Sequence, residues 1–124
     1  MRRVVDAMNV IGCRPDGWWR DRRGATERLL DQLEHWARES GEEVSVILEG
    51  PPSPPLHSEV VEIGWAPEQG PNSADGEIVR RLEGWLAEDE VTVVTSDRDL
   101  VQRATSLGAA VEPAAAFRSR LEHG

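Results

Sequence analysis

The sequence has no lysine, a single cysteine, no long apolar run and a shortage of positive charge. The lack of lysine removes the basic residue that a phosphoreceiver domain needs near its end. One cysteine, Cys13, excludes an internal disulfide and leads to the expectation of a reducing, cytoplasmic setting. No stretch approaches the ~20 apolar residues of a membrane span, so no membrane association is expected. Arg2-Arg3 and the apolar residues up to Cys13 have the outline of a lipoprotein signal. Asp6 and Asn9 interrupt that stretch, which is also too short, and the signal is rejected. His35, His57 and His123 have no zinc-ligand spacing and are expected at the surface. Fourteen arginines face 23 Asp and Glu, for a formal net charge of −9. That balance argues against nucleic-acid binding by bulk positive charge. It leaves open an enzyme whose metal ions neutralise a phosphate.

What is present is a chain of 124 residues, the size of one domain, 1–124. Its centre is Glu90 to Leu107. Val91, Val93 and Val94 form a short β-branched run typical of a buried parallel strand. Thr95-Ser96-Asp97-Arg98-Asp99 follows, and then helical spacing at Leu100, Ala104 and Leu107, closed by Gly108. Ser96 is the expected N-cap. In open α/β sheets, ligands bind at such turns beyond the carboxyl ends of strands.

The rest of the chain repeats this alternation. Arg2 to Ile11 reads as the first strand, and Cys13 to Arg23 as a loop. Arg14, Arg20, Arg22 and Arg23 outnumber the loop's acids Asp16 and Asp21, and Trp18 and Trp19 lie among them. Arginine interleaved with tryptophan suits a single nucleic-acid strand, with bases stacked and phosphates paired. The same residues also read as one core tryptophan and a solvated arginine rim. Ala25 to Ser40 is an amphipathic helix. Val44 to Leu48 is a strand ending at Glu49, and a stiff Pro-rich segment leads to a third strand, Val60 to Trp65. The short link between these two strands is marginal for a parallel crossover. Ala74 to Glu88 is a helix capped by Asn72 or Ser73, with Asp75 and Glu77 in its first turn. Ala110-Val111 is a last strand, and Pro113 opens a final helix.

Each acid alone has an ordinary explanation as a turn or cap residue or a partner of a helix dipole. Their joint placement is different. Asp6, Glu49 and Asp97 each follow an apolar strand, and Asp75 opens a helix at the same sheet edge. With the first and fourth strands as neighbours, Asp6 and Asp97 meet at the switch point. Clustered carboxylates repel unless a cation lies between them, and Mg²⁺ or Mn²⁺ suits an oxygen-only set.

Asp6-Ala-Met-Asn9, Asn72-Ser-Ala-Asp75 and Val93-Val-Thr-Ser-Asp97, in this order and context, resemble the NYN domain of the PIN-like nuclease superfamily. Within it the sequence resembles the YacP-like bacterial ribonucleases, over roughly residues 3 to 121. The resemblance implies a three-layer α/β/α PIN-like domain with a central, mostly parallel sheet of about five strands. It implies a metal-dependent ribonuclease in which Asp6, Asp75 and Asp97 bind metal, Asn9 arranges the site and Asp99 is a further acid. RNA is the implied partner, at a single-stranded region, with the ribosome or RNA-processing machinery as its setting and a monomer or weak homodimer as its state. Ala7 and Met8 stand where the family has Gly and an aromatic residue, Glu49 where it has Asp, and Gly76 where it often has an acid.

The expected mechanism is phosphodiester hydrolysis with one or two ions. Asp6 and Asp97 hold one, while Asp75 with Asp99 or Glu77 holds a second or orients water. The helix starts at Ser73 and Ser96 offer N–H groups to phosphate, and Arg14, Arg20, Arg22, Arg23 and Arg98 guide the strand. The alternatives are a non-catalytic RNA- or protein-binding module on the same fold, and a Toprim or receiver-like domain. The missing lysine counts against a receiver.

Overall fold

A computed structural model of the chain describes residues 1–68, 70 and 73–123. Asn72, one of the two expected caps, lies outside the described residues. Five strands, β1 (Arg2–Asp6), β2 (Glu43–Leu48), β3 (Val61–Trp65), β4 (Val91–Val94) and β5 (Ala110–Glu112), form one parallel sheet. Its order is β3-β2-β1-β4-β5. The helices are α1 (Ala7–Ile11), α2 (Arg22–Ser40), α3 (Ser73–Glu88), α4 (Arg98–Leu107) and α5 (Ala114–His123).

Alternation along each strand divides the core. Val5, Val44, Val46 and Val94 pack with α1, α2 and α5 on one face. Val4, Ile47 and Val93 pack with α3 and α4 on the other. Residues i and i+1 of a strand point to opposite faces, so the Val4-Val5 and Val93-Val94 pairs each feed both layers. The result is the expected three-layer α/β/α arrangement. Among the described residues, no helix is long and apolar enough to cross a membrane.

Three expectations are corrected, and the marginal parallel crossover between the second and third strands is met. The first strand ends at Asp6, not Ile11, and a short helix follows directly. Ala7, Val10 and Ile11 are buried at helical spacing, i, i+3, i+4, and this outweighs the β-branched character of the segment. The second helix starts at Arg22, three residues before the expected Ala25. There the Asp21 carboxylate accepts the Gly24 N–H at 2.8 Å, and a Cβ on Gly24 would collide with that carboxylate. The link of residues 49–60 does join parallel strands, with Val44 opposite Val61, and contains no helix. An extended Pro-rich segment gains ~3.1 Å per residue, ample to return along a strand of five residues. The Ser96 cap is replaced by Asp97, whose Oδ1 accepts the Leu100 N–H at 2.9 Å.

Candidate active site

β1 and β4 are central neighbours, with Val5 opposite Val94, so both chains leave the sheet side by side at its carboxyl edge. β1 delivers Asp6 there, and β4 delivers Thr95, Ser96 and Asp97. α3 begins at the same edge and buries Asp75 in its first turn. Asp6 is 4% exposed and Asp75 9%.

Backbone and side-chain hydrogen bonds fix this arrangement. The Thr95 hydroxyl donates to Asp6 Oδ2 at 3.0 Å and accepts the Asp97 N–H at 3.1 Å. Asn9 lies on α1, and its Oδ1 accepts the Ser96 N–H at 2.7 Å, tying α1 to the turn before α4. The Ser96 hydroxyl oxygen accepts the Ala114 N–H at 2.9 Å, so Ser96 serves the start of α5 rather than α4. Ser73 Oγ is 2.6 Å from the Glu49 carbonyl and 2.8 Å from that of Gly70, linking α3 to the end of β2. The Ser73 N–H donates to the Gly70 carbonyl at 3.2 Å. The backbone N–H groups of Ser73 and Ser96, expected to meet phosphate, thus already have protein acceptors.

The electrostatics follow from this crowding. Burial, and then the negative charge of Asp75, push the Asp6 carboxyl up to about 7, against the opposing Thr95 hydrogen bond. Burial and the charge of Asp97 raise Asp75, and its hydrogen bond with Asp6 offsets part of this. Asp99 also acts on Asp75, though it is exposed and sits 3.4 Å from Arg103. Glu77 differs. Burial would raise it, but hydrogen bonds from Arg80 and Arg81 outweigh burial and hold it below the usual carboxylate range. The expectation that Glu77 joins Asp75 at an ion is therefore corrected, since its carboxylate serves as the buried partner of two arginines on its own helix.

The implied divalent cation can be judged against this donor set. Asp6 and Asp75 are two buried, hydrogen-bonded carboxyls, both raised, in which the charge of Asp75 opposes ionisation of Asp6 and the charge of Asp97 opposes ionisation of both. A hard divalent ion takes one or two carboxylates and completes its shell with water, which fits this pair. Among the described residues, no three His, Cys, Asp or Glu side chains are gathered closely enough to hold an ion by themselves. The three histidines are exposed, as expected.

The arginine and tryptophan loop divides. Trp18 is half-buried against the core around α1 and α2, while Trp19 is 52% exposed. Their rings meet edge to face, with centroids 5.9 Å apart. Arg14 is occupied with α5, donating to Ser119 Oγ at 3.3 Å and pairing with Glu122. Arg23 donates to the Pro54 carbonyl and lies 3.4 Å from Glu27. Arg20, Arg22 and Arg98 are exposed and have no ion pair among the described residues. Sequence reasoning missed Thr95, whose hydroxyl completes the Asp6 environment. Its signal was its place directly after an apolar strand, two residues before Asp97.

Comparison with known proteins gives the same architecture. Two crystal structures of Rae1 (YacP) from Bacillus subtilis superpose on the chain. The W164L mutant does so with a TM-score of 0.81 at 21% identity, over 98% of this chain and 75% of that one. The other gives 0.79 at 20% identity, over 99% and 74%. No curated protein matches the sequence. The sequence profile of the YacP-like NYN domain matches residues 3–123. The chain belongs to the YacP-like NYN domain family, a family of nuclease type.

Proposed function

We propose that this chain, as a single domain over residues 1–124, is a metal-dependent ribonuclease that cuts within single-stranded regions of RNA. The observation carrying this reading is that β1, α3 and the β4–α4 turn bring Asp6, Asp75 and Asp97 to one edge of the sheet, where the charge of Asp97 acts on both other acids. Mg²⁺ or Mn²⁺ would be the cofactor, one ion or two, held by Asp6, Asp75 and Asp97 with Asp99 as a further acid. When bound, such an ion polarises a phosphate oxygen and makes water a nucleophile near neutral pH.

The protein's own part is placement. Thr95 orients the Asp6 carboxyl, and Asn9 holds the turn that carries Asp97. Arg20, Arg22 and Arg98 are the arginines available to phosphates, and Trp19 offers a face to an unpaired base. Arg14 acts by holding the loop to α5. The setting that suits this reading is the cytoplasm, with a monomer or weak homodimer acting beside the ribosome or RNA-processing machinery.

A second reading, a non-catalytic RNA- or protein-binding module, is favoured by the work Asp97 already does as a helix cap. The deciding experiment is cleavage of a labelled single-stranded RNA with Mn²⁺, Mg²⁺ or EDTA, beside Asp97→Asn. Cleavage that needs metal and vanishes in the variant is the expected result. RNA binding without cleavage under either metal would transfer the assignment to the binding module. Thermal unfolding provides an independent check. Millimolar Mn²⁺ should raise the wild-type midpoint and leave Asp6→Asn nearly unmoved, because a ligand that binds only the folded state stabilises it.

A further inference from the structure

Beside the acid site lies a cleft of about 280 Å³, bounded by α1, the first turn of α2, the end of β2 and the Pro-rich segment. Met8, Leu48 and Leu56 form its apolar wall, and Arg22, Thr26 and Glu49 its polar one. We propose that this cleft binds one unpaired nucleobase next to the scissile phosphate. It favours a base with an exocyclic amine, and Glu49 is the specificity-determining residue. This inference rests on the ribonuclease reading and adds a substrate preference to it.

Position ties the cleft to the site. Met8 is two residues beyond Asp6, and Asp6 stands opposite Ile47 in the sheet, so Leu48 and Glu49 continue from the same edge. Ser73 Oγ meets the Glu49 carbonyl at 2.6 Å from the helix that carries Asp75. Glu49 is therefore fixed between β2 and α3. Arg23 reaches across 31 residues to the Pro54 carbonyl and holds the Pro-rich wall against α2.

Charge and shape select the occupant. Arg22 is exposed, its guanidinium stacked 5.3 Å from the Trp18 ring centroid, with no carboxylate paired to it among the described residues. It can meet the phosphate that follows the bound base. The apolar wall suits a flat ring. The Glu49 carboxylate makes no hydrogen bond or ion pair among the described residues, although Glu49 is half-buried. It repels phosphate within the cleft and accepts N–H groups. Adenine, cytosine and guanine each present an exocyclic amine to such an acceptor. Uracil offers a single N–H between two carbonyl oxygens, which would face the carboxylate.

The test uses oligonucleotides that differ only at one central A, C, G or U, within an otherwise constant unpaired strand. Wild type with Mn²⁺ should cut beside amine-bearing bases about tenfold faster than beside uracil, as one good hydrogen-bonded pair allows. Glu49→Gln has both donor and acceptor atoms and should bring the four rates within about twofold of one another. Equal wild-type rates, or a preference that survives in Glu49→Gln, would overturn the subsite. The same series is measured for binding to Asp97→Asn, with and without Glu49→Gln. A Glu49-dependent preference in binding without any wild-type cleavage would leave the subsite standing and reject the ribonuclease reading. Binding blind to the base would reject the subsite whatever the cleavage result.

Discussion

Thr95 and Asp6 lie 89 residues apart in the chain, yet the Thr95 hydroxyl donates to the Asp6 carboxylate at 3.0 Å in a buried contact. The same hydroxyl oxygen receives the Asp97 N–H. One fully buried side chain thereby ties together two candidate ligands, Asp6 at the end of β1 and Asp97 at the start of α4.

Replacing Thr95 with Val keeps the shape and removes both hydrogen bonds. Leaving buried polar groups unpaired should cost about 1–3 kcal/mol in urea unfolding, with Thr95→Ser recovering most of it. Because the hydroxyl lowers the Asp6 pKa, Asp6 should also titrate higher in Thr95→Val when followed by NMR of its carboxyl carbon. A Val variant with unchanged stability and titration would show that the contact has little influence.

Asp97 has two roles that substitution can separate. Asn is as good an N-cap as Asp, so Asp97→Asn should change stability by less than about 0.5 kcal/mol, while Asp97→Ala should cost about 1 kcal/mol. Both should lose metal-dependent cleavage. Equal loss of stability in the two variants would mean that the Leu100 N–H cap is not the source of the effect.

The raised Asp6 carboxyl makes stability depend on pH in the metal-free protein. Unfolded, Asp6 titrates near its ordinary value of 3.8; folded, near 7. Between these values the folded state holds the extra proton, so Asp6 favours folding most at low pH. That contribution should fall as pH rises from about 4 to about 7 and level off above. Denaturation in EDTA across pH 4.5 to 8 checks this. Asp6→Asn should reduce the fall, and an unchanged pH profile in that variant would contradict the assignment.

Away from the site, Arg3 is 5% exposed and pairs with Glu42 at 2.9 and 3.0 Å and with Glu112. Its guanidinium also lies over the rings of Trp36 and Phe117. Truncating one partner of such a pair leaves buried charge uncompensated, so Arg3→Ala should destabilise by about 3–5 kcal/mol. The Arg3 hydrogen bond holds Glu42 below the usual carboxylate range. That stabilisation should be present above about pH 4.5 and be lost as pH falls. Calorimetry of wild type and Arg3→Ala from pH 3 to 7 should show the difference narrowing at the acid end.

What the sequence determined by itself is the strands and longer helices, though not the short helix α1, and the edge on which the acids fall. Val91, Val93 and Val94 mark a strand, and Leu100 and Ala104 a helix, because hydrophobic periodicity is local. An Asp at the end of such a strand, or in the turn after it, lies at the carboxyl edge of any parallel sheet, so Asp6 and Asp97 could be assigned to that edge without coordinates. The tertiary structure decided which groups meet across long separations. Ser96 reads as a helix cap, but Asn9 accepts its N–H and Ala114 donates to its hydroxyl, which leaves the cap to Asp97. Glu77 reads as a companion of Asp75, but it is turned to Arg80 and Arg81. Arg3 shows nothing in the sequence beyond its place in the first strand, yet it is buried between segments 39 and 109 residues away. A polar side chain finds its partner through strand order and helix placement. One-dimensional spacing encodes the face a residue occupies and not the neighbour it finds there.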